Sequence, residues 1–123
     1  MTILIVEDNA GVRRLLRHAV SGIASEIWEC HDGADALAVY AAQRPDVVLM
    51  DIRMPRLDGL AATRQIRRLH PTARIVIVTD YDEDALRAAA RAAGACGYAL
   101  KQNLPDLARL IGTVLGDEDY PCG

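Results

Sequence analysis

Five short apolar runs alternate along the chain with five stretches whose apolar residues recur every three or four positions. The runs are residues 3–6 (ILIV), 26–30 (EIWEC), 46–51 (DVVLMD), 73–79 (ARIVIVT) and 96–100 (CGYAL). Brief Val- and Ile-rich runs bounded by polar or turn residues read as strands, and those without alternation as strands buried on both faces. After the first run, Val12, Leu15, Leu16, Ala19, Val20 and Ile23 fall at helical spacing, with Arg13, Arg14 and Arg17 on the opposite side. Asp32-Gly33 turns into a helix carrying Ala36, Leu37, Tyr40 and Ala41. Asp58 is placed to N-cap a helix through Arg68 that His70-Pro71 ends. Residues 82–93 read as an Ala-rich helix stopped by Gly94. Asn103 opens the last helix, with Leu104, Leu107, Leu110, Ile111, Val114 and Leu115 as its apolar side.

Five strand–helix units in alternation predict an α/β fold: a doubly wound parallel sheet with helices on both faces. Residues 1–116 read as one domain. Residues 117–123 (DEDYPCG) read as an acidic tail, a frayed terminus or the remnant of a linker.

Composition narrows the function. A chain of 123 residues buries enough surface to fold without a disulfide or metal staple. A net charge of −3 argues against a nucleic-acid surface. No basic-plus-apolar leader and no apolar run near 20 residues is present, so neither secretion nor membrane insertion is expected, and the cytoplasm is. Cys30, Cys96 and Cys122 are odd in number and widely spaced, which matches neither a zinc site nor a disulfide framework. Cys30 and Cys96 are expected in or near the core and Cys122 in the exposed tail.

The chemistry sits at the ends of the strands. The first ends in Glu7-Asp8, the third in Asp51, the fourth in Thr79, and the fifth runs into Lys101. In a parallel sheet these ends share one edge, where doubly wound folds place their ligands. Three carboxylates brought together repel one another, and a divalent cation relieves this. An all-oxygen set selects Mg²⁺ or Mn²⁺ over zinc. With the cation, a small dianion such as phosphate could join, with Thr79 and Lys101 donating to its oxygens. The set describes a carboxylate able to accept a phosphoryl group.

Over almost its whole length the chain resembles the receiver domain of two-component response regulators. The residues that carry the resemblance are Glu7-Asp8, the segment DIRMPRLDG from Asp51 to Gly59, the strand-end Thr79, and GACGYALK from Gly94 to Lys101. Their wording is similar to receivers that precede a helix-turn-helix output domain, although no output domain follows within these residues. The resemblance implies a flavodoxin-like sheet of order 2-1-3-4-5. It implies that Asp51 accepts a phosphoryl group from a phosphohistidine, and that Glu7, Asp8, Asp51 and the backbone carbonyl of Arg53 hold Mg²⁺. Lys101 would pair with the phosphoryl oxygens, Thr79 would turn to hydrogen-bond them, and Tyr98 would rotate inward as Thr79 moves. A sensor histidine kinase or phosphotransfer protein would be the donor. An effector or a second copy would be the reader, through helix four, strand five and helix five. No enzymatic activity is expected beyond Mg²⁺-dependent self-phosphorylation and autodephosphorylation.

Two positions depart from the family pattern. Asp80 follows Thr79 where a small residue is usual; it either crowds the phosphoryl path or caps the next helix through the spacing Asp80-x-x-Glu83. Gln102 follows Lys101 where a cis proline is usual, and a cis bond there would cost about 2.5–4 kcal/mol.

Blander readings compete. Glu7-Asp8 could be exposed acids at a helix N-terminus, Thr79 a plain strand-end hydroxyl, Tyr98 a packing aromatic and Lys101 a solvated lysine. The Arg13-Arg14-Arg17 cluster reads first as a solvated helix face and second as a docking face. His18, His31 and His70 lack ligand-spaced partners and read as surface or boundary residues. Among function classes, the competitors are a degenerate receiver acting as a constitutive binding module, a phosphate sink, an Asp51 phosphatase, and a flavin binder. The phosphatase wants a second acid where Arg53 stands. The flavin binder wants a phosphate loop where Glu7-Asp8-Asn9 would repel one.

Overall fold

The computed structural model describes residues 1–116. The expectations for the tail and Cys122 fall outside them. The strands are β1 (Thr2–Val6), β2 (Glu26–Cys30), β3 (Val47–Met50), β4 (Ile75–Thr79) and β5 (Gly97–Leu100). The helices are α1 (Ala10–Val20), α2 (Gly33–Gln43), α3 (Gly59–Leu69), α4 (Asp84–Ala93) and α5 (Leu107–Gly116). All pairings are parallel, in the order β2-β1-β3-β4-β5. The pattern predicts the parallel sheet, and the order is the flavodoxin-like one that the resemblance implies.

Strand side chains alternate between two cores. Leu4, Val6, Val48, Met50, Ile75 and Ile77 face α2, α3 and α4, where Ala36, Tyr40, Ala62, Ile66 and Ala90 meet them. Ile3, Ile5, Val47, Leu49, Val76 and Val78 face α1 and α5, against Leu16, Val20, Leu107, Ile111 and Val114. Because both faces are covered, β1, β3 and β4 carry no polar alternation. Cys30 and Cys96 are buried, as expected. No helix among the described residues is long and apolar enough to cross a membrane.

Local chemistry sets most helix starts. Asn9, Asp32 and Asp58 each accept a backbone N–H of the first turn of α1, α2 and α3, from Val12, Ala34 and Ala61. Gly94 ends α4 at φ 106°, a left-handed position that favours glycine.

Four expectations need correction. α1 stops at Val20, and Ile23 lies in the following turn, where its N–H and that of Ala24 both bond the Val20 carbonyl. Leu15 is 58% exposed, because it sits one helical step off the stripe formed by Val12, Leu16 and Val20. α4 begins at Asp84, its N-cap Glu83 makes no side-chain cap bond, and so Asp80 does not open a capping box. Residues Lys101–Asp106 form a 3₁₀ turn before α5, broken at Asn103 (φ −116°, ψ 38°), and Pro105 disfavours the α conformation at Leu104. All described peptide bonds are trans, including Lys101–Gln102.

Candidate functional site

The carboxyl ends of β1, β3, β4 and β5 bring the predicted side chains to one edge. The sheet ladder runs on into the site: Glu7 N–H bonds the Cys30 carbonyl at 3.1 Å, and Asp51 N–H bonds the Val6 carbonyl at 3.0 Å. The two acids are therefore fixed by backbone as well as by side-chain contacts. Glu7 is almost fully buried and Asp51 is 7% exposed, while Asp8 lies open to solvent. One carboxylate oxygen of each lies within 4.8 Å of the others.

Buried carboxylates at this spacing need a cation. Lys101 Nζ stands 2.7 Å from Glu7 Oε1 and 3.2 Å from Asp51 Oδ1. Burial alone would push its ammonium toward the neutral form, but the bond to Glu7 and the Asp51 charge more than offset this and hold its pKa above the ordinary value. Asp8 is raised above the ordinary carboxyl value, first by its hydrogen bond with Glu7 and then by burial and the Glu7 charge. Protons are thus retained where negative charge is crowded. Oxygen-only donors this close fit a small hard divalent cation.

The loop after Asp51 is stapled from the side. Buried Asp32 accepts the backbone N–H groups of Ala34 at 2.8 Å, Arg56 at 2.9 Å and Leu57 at 3.2 Å. These bonds, Ala34 first, hold its carboxyl below the usual range. Nothing in the sequence distinguishes this residue from an ordinary N-cap; its second task comes from a loop 24 residues away.

Thr79 is buried at the end of β4, and its hydroxyl accepts the Tyr81 N–H at 3.3 Å. The Tyr98 hydroxyl donates to the Tyr81 carbonyl at 2.6 Å, which ties β5 to the β4–α4 loop. Arg53 lies over the Tyr81 ring at 4.6 Å and Arg87 over the Tyr98 ring at 4.5 Å. A groove of about 400 Å³ opens beside Tyr98, between α4, β5 and α5, lined among others by Arg87, Asn103, Asp106 and Leu110.

Arg13 is not part of a solvated face. Its side chain is 13% exposed and its guanidinium reaches back into the β1–α1 loop. Grouping it with Arg14 and Arg17 hides this role: at 100° per residue Arg13 falls beside Val20, at the edge of the buried stripe, while Arg14 and Arg17 are exposed.

A family model for the response regulator receiver domain matches residues 3–114. Response regulator MprA of Mycobacterium avium is 40% identical over 101 residues, covering 82% of this chain and 44% of that protein. The chain thus spans less than half the length of such relatives. A two-component response regulator of the LuxR family from Aurantimonas superposes with a TM-score of 0.87 at 32% identity, covering 94% of this chain and 84% of that one. The signal receiver domain of the putative response regulator NarL from Mycobacterium tuberculosis gives 0.84 at 28% identity, covering 94% and 97%. With the strand-end acids, the lysine and the sheet order all in place, the chain belongs to the response regulator receiver domains of two-component signalling.

Proposed function

We propose that Asp51 accepts a phosphoryl group from a histidine kinase or phosphotransfer protein in the cytoplasm, and that the change is read on the α4–β5–α5 face. The supporting observation is the Lys101 ammonium, in contact with both Glu7 and Asp51 on one sheet edge. In the transfer an Asp51 oxygen bonds phosphorus as the phosphorus–nitrogen bond of the donor imidazole breaks, and the imidazole nitrogen keeps the electron pair. Glu7, Asp8, Asp51 and the carbonyl of Arg53 would hold Mg²⁺, with Mn²⁺ a substitute. The ion would supply positive charge to the phosphoryl oxygens. Lys101 moves from carboxylates to phosphoryl oxygens, a short step for a flexible point charge. Thr79 gives up the Tyr81 N–H to donate to the phosphoryl group. Tyr98, held through the Tyr81 carbonyl, follows by turning inward. Nothing beyond phosphoryl acceptance and its hydrolysis is assigned to this domain.

Amide NMR tests the pocket. Mg²⁺ and then beryllofluoride should shift resonances at the ends of β1, β3 and β4, then those of α4 and β5. Asp51→Asn should lose the beryllofluoride response. Shifts scattered over the surface would contradict the assignment.

A further inference from the structure

Arg13 makes three contacts that converge on the acidic loop. One guanidinium nitrogen, Nη1, donates to the Glu7 carbonyl at 2.8 Å and to the Asp8 carbonyl at 3.1 Å. Its Nε lies 3.2 Å from Glu29 Oε1 on β2. Glu29 is held in turn by Arg17, whose Nη2 reaches its Oε2 at 2.7 Å and whose Nε reaches the same oxygen at 3.2 Å. A planar guanidinium with donors on several edges can bridge two carbonyls and a carboxylate, as a lysine cannot.

The two carbonyls belong to Glu7 and Asp8, two of the three residues whose side chains form the carboxylate cluster. Fixing both carbonyl oxygens on Arg13 fixes the peptide planes on either side of Asp8, and so the direction in which its carboxylate leaves the backbone. Asp8 is the exposed member of the cluster, and no other backbone bond is seen to hold its carbonyl among the described residues. Glu29 has a second effect. A bare guanidinium beside the acids would repel an incoming cation, and the Glu29 carboxylate, shared with Arg17, offsets part of that charge.

We infer that Arg13 is a positioning residue for divalent-cation binding, oriented and partly compensated by Glu29. This rests on the proposed reading of the carboxylate pocket. If Arg13 acted only through its charge, removing it would tighten cation binding. Because it aims the acidic loop, removing it weakens binding. Supporting groups behind metal ligands typically change affinity by about 10–100-fold. For an ion that keeps most of its waters the lower end, about tenfold, is expected.

The test is Mg²⁺ titration of the folded domain by amide NMR, with thermal unfolding followed with and without Mg²⁺. Arg13→Met should raise the Mg²⁺ dissociation constant about tenfold and shrink the Mg²⁺-induced rise in Tm. A purely structural role would lower Tm equally with and without the ion. Arg13→Lys keeps the charge, serves as the second variant should Arg13→Met not fold, and should also weaken binding. Glu29→Gln should weaken it severalfold, more at low ionic strength, where the uncompensated guanidinium is least screened. Mg²⁺ affinity equal to or tighter than wild type in both Arg13 variants overturns the inference while leaving the pocket intact. Failure of the wild-type protein to bind Mg²⁺ at Glu7, Asp8 and Asp51 overturns the pocket and the inference together.

Discussion

The carbonyl oxygen of Asp51 occupies the space that any side chain at Gly59 would need. A Cβ at position 59 would overlap that oxygen and stand 2.9 Å from Met50 Cγ. The Gly59 N–H also bonds the Ile52 carbonyl at 2.7 Å, so the start of α3 packs directly on the peptide after Asp51.

Gly59→Ala must therefore push α3 from the end of β3 or tilt the Asp51 peptide. Overpacking of this kind costs about 1–3 kcal/mol. We expect a matching loss in denaturant unfolding and a larger fractional loss of phosphoryl acceptance. Wild-type stability would mean that α3 yields without strain.

Tyr98 joins β5 to the β4–α4 loop through the Tyr81 carbonyl and stacks under Arg87. Tyr98→Ala should leave phosphoryl acceptance at Asp51 near wild type while weakening activated self-association or partner binding, because it cuts the link and spares the pocket. Sedimentation with and without beryllofluoride checks this. Wild-type coupling in the variant would remove Tyr98 from the switch.

Asp80 is exposed and caps no helix, leaving its charge near the end of β4. Asp80→Ala should speed modification by anionic small-molecule donors by up to about fivefold, the effect of about 1 kcal/mol of repulsion in water. Arg53 stacks on Tyr81 beside the pocket, and shortening either should alter the lifetime of the phosphoryl group more than its formation. Unchanged rates in all three variants would place these side chains away from the phosphoryl path.

The crowded acids give a signed pH effect. Asp8 has its pKa raised in the folded, metal-free protein, so the ionised form is disfavoured by folding. Its contribution is present below the unfolded value and is lost as pH rises through the raised one. Mg²⁺ favours the ionised form, so the rise in Tm on adding Mg²⁺ should grow with pH across this window. Asp32 has the opposite sign. Its lowered pKa gives stability that is present above the ordinary carboxyl value and lost as pH falls through the folded one. Thermal scans of wild type and Asp32→Asn against pH separate the two; an Mg²⁺ effect that shrinks toward neutral pH would contradict the Asp8 assignment.

The parallel sheet was legible because buried parallel strands leave apolar runs without alternation, and its order through the family resemblance. The acids, Thr79 and Lys101 were legible because parallel topology puts every strand end on one edge. Helix ends were less so. Leu15 is apolar yet exposed, and Asp80 mimics a cap spacing that Glu83 overrides. Arg13 and Asp32 were missed for one reason: each works on backbone atoms of another loop, and backbone acceptors and donors carry no sequence signature.

The central claim is that Asp51 is the acceptor, and acetyl phosphate with Mg²⁺ tests it most directly. Intact-mass and peptide mass spectrometry should find one phosphoryl group, on the peptide bearing Asp51, lost on EDTA pretreatment and in Asp51→Asn. Phosphate on another residue, or none at high donor concentration with the fold intact, would contradict the account and leave a receiver that binds its partners without being switched.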